Sequence, residues 1–159
     1  SRATAVIMAA AVADFRPAAP HTKKMKRGNG RVTLELESTP DILADVARGK
    51  GDRIIIGFAA ETDRVAEHAR GKLESKQVDL IVANDVTAEG AGFDLDTNII
   101  TLYLRDGSEK AFPRMPKTDA AHRILDQLRE LRHAAARRHA SPAGGPDGQA
   151  QVPATQRVR

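Results

Sequence analysis

Three short runs constrain this chain more than anything else in it. Ala5-Val6-Ile7-Met8, Arg53-Ile54-Ile55-Ile56-Gly57-Phe58 and Asp79-Leu80-Ile81-Val82-Ala83 are almost wholly apolar. None is long enough for an ordinary helix, and none alternates apolar with polar residues. Strands of this kind must be covered on both faces, as in the parallel sheet of an α/β domain. The segments between them supply the covers. Ala59-Ala60-Glu61-Thr62 is expected to turn tightly into a helix from about Asp63 to Gln77, with Val65, Ala66, Ala69 and Leu73 facing the core. That is the βα unit of a parallel sheet. Thr39-Pro40-Asp41-Ile42 is expected to open a shorter helix: Thr39 caps it, Pro40 suits the first turn, and Asp41 complements the amide dipoles. Its apolar stripe is Ile42, Leu43, Val46 and Ala47, and it stops near Gly49 and Gly51.

The remaining segments are more polar. Residues 31–37 place Val32, Leu34 and Leu36 on alternate positions, which predicts a strand with one wet face. Residues 88–96 are expected to form a Gly-rich loop around Phe93. Residues 98–104 and 109–112 flank Asp106-Gly107, a strong hairpin signal. Thr118 is expected to cap a last helix with Ile124, Leu125, Leu128 and Leu131 on one face.

Composition removes several function classes. The 159 residues suit one domain, and no cysteine is present, so neither a disulfide framework nor a cysteine metal site can form. The absence of cysteine fits a reducing, cytoplasmic setting. No apolar run reaches the length of a membrane span. The formal charge of +4 is unevenly spread: residues 134–159 carry four arginines against one aspartate, leaving only +1 on residues 1–133. A near-neutral body argues against a nucleic-acid partner. Residues 134–159, rich in Ala, Pro and Gly and without periodicity, are expected to be a disordered basic tail behind a domain at 1–133.

Several polar groups sit at the ends of the apolar runs, where open α/β sheets bind ligands. Ala9-Ala10-Ala11 gives close access to backbone, and Asp14 and Arg16 follow. An ordinary loop after a strand is the plainer account. Lys23, Lys24, Lys26 and Arg27 crowd one loop, either solvated or a flap that closes on phosphates. Phe58 either stacks on a flat ring or fills the core. His68, Lys72 and Lys76 share a helical stripe, either a polyphosphate clamp or a solvated face. Asn84-Asp85-Val86 closes the third apolar run. These residues alone lead to an anion- or nucleotide-binding α/β domain.

Five motifs in order carry a resemblance: Ala10-Ala11-Val12-Ala13-Asp14-Phe15-Arg16; Lys24-Met25-Lys26-Arg27; Pro40-Asp41-Ile42-Leu43; Gly57-Phe58-Ala59-Ala60-Glu61-Thr62 with Lys72 and Lys76; and Ala83-Asn84-Asp85-Val86. Over residues 4–131 the chain resembles the phosphopantothenate–cysteine ligase family, the synthetase half of the bacterial bifunctional coenzyme A biosynthesis protein. The resemblance implies a Rossmann-like, mostly parallel sheet with helices on both faces and a C-terminal β-hairpin. It implies a homodimer, and CTP, 4′-phosphopantothenate and cysteine as substrates, with Mg2+ or Mn2+ assisting. FMN belongs to the separate decarboxylase domain of such proteins. No membrane or nucleic-acid partner is implied.

By the same resemblance, Lys24 is the catalytic residue and binds the triphosphate with Lys72 and Lys76. Ala9, Ala10, Asp14, Phe58 and the stretch Pro40, Asp41, Ile42 and Leu43 hold the nucleotide. Ala10, Ala11 and Asn84 meet the acid substrate, and no metal ligands are assigned. Two departures stand out. Arg27 replaces the usual lysine, which keeps the charge. The family's first strand, Gly-rich loop and Ser-Ser-Gly segment do not precede Ser1, so the chain is expected to be the carboxyl-terminal part of a longer enzyme. A non-catalytic nucleotide-binding module derived from the family is the competing expectation.

Overall fold

In the computed structural model, which describes residues 3–26, 30–61, 64–85 and 95–140, the three apolar runs lie side by side in one sheet. In chain order the elements are β1 (Ala5–Met8), β2 (Phe15–Pro17), β3 (Leu36–Ser38), α1 (Ile42–Arg48), β4 (Ile54–Glu61), α2 (Val65–Lys76), β5 (Leu80–Asp85), β6 (Thr97–Asn98), β7 (Ile100–Leu104), β8 (Glu109–Ala111), β9 (Met115–Pro116) and α3 (Lys117–Ala140). The main sheet runs β1-β4-β5-β7-β8. Its first three strands are parallel, in register from Ala5 opposite Ile54 and from Ile56 opposite Leu80. The hairpin β7–β8 continues it antiparallel, and Gly107 takes the positive φ of 86° that its turn requires.

Each face of the sheet has its own cover. Ile55, Ala59, Ile81 and Ala83 point to one side and pack with Ala47 of α1 and Ala69 and Leu73 of α2. Ile54, Ile56, Leu80, Val82 and Leu102 point to the other and pack with Ala120 and Ile124 of α3. Ile55, Ile56, Leu80, Ile81, Val82 and Leu102 are fully buried. At about 1.5–3 kcal/mol per buried side chain, these residues dominate the cohesion of the domain. This is the Rossmann-like α/β layering expected, with helices on both faces.

A polar clasp closes the amino-terminal rim. Asp79 Oδ2 accepts the Ile55 N–H at 2.9 Å, and Asp79 Oδ1 accepts from Lys50 Nζ at 2.5 Å. Backbone bonds join the same point: the Asp79 N–H donates to Ile55 O at 3.0 Å, and the Arg105 N–H donates to Asp79 O at 3.2 Å. One side chain thereby joins the turn after α1, β4 and β5.

The structure corrects several expectations. The stretch 31–37 is not a strand with a buried face; only Leu36–Ser38 is extended, paired with β2, and Val32, Leu34 and Leu36 are 71%, 60% and 55% exposed. Among the described residues no helix covers that ribbon, so alternation alone did not secure burial. Asp41, not Thr39, caps α1 by accepting the Ala44 N–H at 3.0 Å. The Thr39 hydroxyl is used elsewhere, donating to Ala13 O at 2.6 Å. Ala59, Ala60 and Glu61 do not turn but extend β4, because β5 offers partners as far as Asp85. The run 98–104 breaks at Ile99, and Thr97–Asn98 pairs with β9 instead of joining the main sheet. Thr118 lies inside α3, which starts at Lys117. That helix continues to Ala140, into the segment expected to be disordered, because Ala134, Ala135, Ala136, Arg137 and Arg138 are strong helix formers. Arg27, Thr62, Asp63, Val86, the loop around Phe93 and the tail beyond Ala140 lie outside the described residues. Among the described residues no helix is long and apolar enough to cross a membrane.

Candidate functional site

The carboxyl ends of β1, β4 and β5 open into a cavity of about 530 Å3. Backbone geometry explains why it forms there. β1 gives way to small residues, and Ala9, Ala10 and Ala11 leave one wall low. Gly57, buried at the register position opposite Met8, lets Leu43 of α1 approach; a Cβ there would stand 2.7 Å from Leu43 Cδ2. Leu43 in turn lines the cavity.

Most of the residues expected at a site meet here. Ala9, Ala10, Ala11, Asp14, Asp41, Leu43, Phe58, Lys72, Lys76 and Asn84 all line the cavity. They come from widely separated stretches and converge because parallel strands end on one rim. Phe58 serves both readings, since it lines the cavity and packs against the cluster beneath α3. Pro40 and Ile42 flank Asp41 but do not line the cavity, and Ile42 is 44% exposed.

Lys24 is not among the lining residues. It is exposed, on the arm that β2 and β3 support. The neck of that arm is closed by the Ala18 N–H donating to Glu35 O at 3.0 Å and by Arg16 paired with Glu37 at 2.7 Å. Its root is tied to the cavity wall, for the Thr39 N–H donates to Asp14 O at 2.9 Å. Arg16 therefore acts within the ribbon.

Charge in the cavity is already organised. Lys72 and Lys76 lie one turn apart on α2, both half-buried. Lys76 Nζ donates to Asp41 Oδ2 and so bridges α2 to α1. That bond, reinforced by the Ala44 N–H, holds the Asp41 carboxyl below its usual range. Asp14 and Asp41 are the carboxylates among the described lining residues. The described residues contain no cluster of three metal-ligating side chains.

The opposite wall was not foreseen. Asn98, Ile100 and Lys117 also line the cavity. Asn84 Nδ2 lies 3.5 Å from Asn98 Oδ1, and the buried Asn84 Oδ1 finds no hydrogen-bond donor among the described residues. A signal for Lys117 was present: a cation opening a helix opposes the positive end of the helix dipole and calls for a reason.

Comparisons with known proteins place the chain in a family. The family model described as DNA/pantothenate metabolism flavoprotein C-terminal domain matches residues 1–131. A Bacillus subtilis (strain 168) relative, the coenzyme A biosynthesis bifunctional protein CoaBC, is 48% identical over 126 residues, covering 79% of this chain and 31% of the relative. The CoaBC protein of Vibrio parahaemolyticus is 44% identical over 130 residues, covering 80% and 32%. The chain thus spans about a third of the length of these curated relatives. Among solved structures, the C-terminal domain of a CoaBC protein aligns with TM-score 0.66 and 36% identity over 84% of this chain and 57% of that one.

Proposed function

Because the chain belongs to the DNA/pantothenate metabolism flavoprotein C-terminal domain family, we propose that it forms part of a CTP-dependent phosphopantothenate–cysteine ligase acting in coenzyme A biosynthesis in the cytoplasm. One observation carries this reading. Asp14, Asp41, Phe58, Lys72, Lys76 and Asn84, distant in sequence, line one cavity at the carboxyl rim of the sheet.

The chemistry asks for such a site. A carboxylate acylates an amine only after it gains a good leaving group. In the first step a carboxylate oxygen of 4′-phosphopantothenate attacks the α-phosphorus of CTP. The bond from that phosphorus to the bridging oxygen breaks, and pyrophosphate departs with the electron pair. In the second step the cysteine amine attacks the acyl carbon, loses a proton and expels CMP. Neither step needs a protein nucleophile. Both need fixed positive charge against developing negative charge.

Lys72 and Lys76 supply that charge on α2, beside the nucleotide pocket of Asp14, Phe58 and Leu43. Lys24, on the arm rooted at Asp14, completes the set when the arm folds over the cavity. A hard cation such as Mg2+ fits here only as a companion of the phosphates, which is how this ion is commonly held. Among the described lining residues, Asp14 is the carboxylate left to help hold it, since Asp41 is engaged by Lys76. The ion's chemistry is charge neutralisation on the phosphates.

The homodimer that the resemblance implies has a fitting surface. Phe15, Val32, Leu34 and Leu36 are more than half exposed around the β2–β3 ribbon, a set that a second copy covers.

The test is release of pyrophosphate from CTP, 4′-phosphopantothenate and cysteine, with ATP as the comparison nucleotide. It is run on this chain and on the full-length protein. Pyrophosphate formation that depends on the acid, with preference for CTP, supports the ligase. Tight CTP binding without turnover in either form replaces it with the binding-module reading.

A further inference from the structure

The cavity has two polar ends, and strand register separates them. In β4, Ile54 and Ile56 belong to the α3 side of the sheet, and Phe58 follows in step; Ile55 and Ala59 belong to the α1–α2 side. In β5, Leu80 and Val82 face α3, Ile81 and Ala83 face α1 and α2, and Asn84 continues the α3 series. Asp41, Lys72 and Lys76 therefore form one polar end, carried by α1 and α2. Asn84, Asn98 and Lys117 form the other, on the α3 side. The strand ends stand between.

We propose that Lys117 and Asn98 build the subsite for the acid substrate, with Lys117 holding its phosphate and Asn98 orienting Asn84 toward its amide and hydroxyl groups. This inference rests on the ligase reading and assigns residues within the same site.

The chain fixes these two residues with a dedicated element. In the ribbon β6–β9, Thr97 pairs with Pro116 and Asn98 with Met115. The Lys117 N–H then donates to Asp96 O at 2.9 Å, so α3 starts beside Asn98. Met115 anchors the ribbon in the α3-side core. Lys117 stands in the first turn of α3, at the positive end of the helix dipole. An anion brought to that point meets both the ammonium and the dipole. A lysine is a point charge suited to a single phosphate, whereas two lysines one turn apart suit a polyphosphate. The buried Asn84 Oδ1, without a donor among the described residues, awaits a ligand N–H or O–H.

The test is steady-state kinetics on the full-length protein, with the phosphorylated acid and CTP varied in turn, and unphosphorylated pantothenate as the probe for the phosphate. Lys117→Gln should raise the KM for the phosphorylated acid by about tenfold or more, the usual worth of a charged hydrogen bond. The KM for CTP should stay within about twofold of the parent value, as expected without such a contact. The preference for phosphorylated over unphosphorylated acid should shrink by the same factor as the acid KM rises. Lys117→Arg should restore most of the loss, and Asn98→Ala should weaken both acids alike. An unchanged acid KM in Lys117→Gln overturns the assignment. So does a parallel rise in the KM for CTP, which would put Lys117 with the nucleotide, or a loss in the arginine variant as large as in glutamine. A parent enzyme without any turnover defeats the ligase reading itself; an active parent with indifferent variants defeats only this inference.

Discussion

Replacing Asp79 by alanine tests how the sheet is held, at the rim away from the cavity. The substitution removes two acceptors at once. The Ile55 N–H, in the fully buried heart of β4, loses the carboxylate oxygen at 2.9 Å. A buried donor left unpaired costs about 1–3 kcal/mol. Lys50 Nζ loses its partner at 2.5 Å, in a pair whose side chains are 18% and 20% exposed. That lies between a surface pair, worth about 0–1 kcal/mol, and a buried one, whose breaking costs about 3–5 kcal/mol. Lys50 can turn toward water, so about 1 kcal/mol is the reasonable share. The expected total is about 2–4 kcal/mol, or roughly 4–16 °C in Tm for a chain of this size. Asp79→Asn keeps an acceptor for Ile55 and should cost about half as much. Urea unfolding of the parent, Asp79→Ala, Lys50→Met and the double variant gives the coupling directly. Affinity for CTP should be unchanged at temperatures where the variants remain folded. A loss below about 1 kcal/mol for Asp79→Ala, with no coupling to Lys50, would refute the clasp.

Three other outcomes are expected. Gly57→Ala brings a methyl to 2.7 Å from Leu43 Cδ2 and 3.0 Å from Ile81 Cδ1; it should cost about 1–2 kcal/mol and weaken CTP binding through Leu43, as read by unfolding and calorimetry. Lys24→Gln should abolish turnover in pyrophosphate release while moving the melting temperature by less than about 2 °C, because the exposed arm carries few buried contacts; a large drop would make Lys24 structural. Asp41 is depressed in the folded state, so its contribution is present at neutral pH and is lost as pH falls through the folded value, below about pH 4. Acid titration of unfolding should show this loss in the parent and not in Asp41→Asn.

The fold was legible where burial is two-sided. The runs at 54–56 and 80–83 could pack only in the middle of a sheet, and they do. The ribbon at 31–38 misled because its pattern promises a covered face, and the described residues provide no cover. Most of the lining of the candidate cavity was legible from motifs at strand ends, which topology places on one rim. Lys117 and Asn98 were not, since their proximity depends on the two-residue ladder β6–β9, too short to leave a periodic trace. Helix boundaries shifted where local partners outbid propensity: Thr39 bonded backward to Ala13, leaving the cap to Asp41.

The bridge from Lys76 to Asp41 bears on which guests the cavity can retain. Under the proposed function, an incoming triphosphate would have to take Lys76 from a carboxylate already in place. A single weak negative charge gains little by that exchange, whereas a chain of phosphates can outcompete the carboxylate. In the proposed reaction, departure of pyrophosphate would leave Lys76 to return to Asp41 and loosen what remains. Selection for polyanions and discharge of a less charged remnant would then come from one reversible handover.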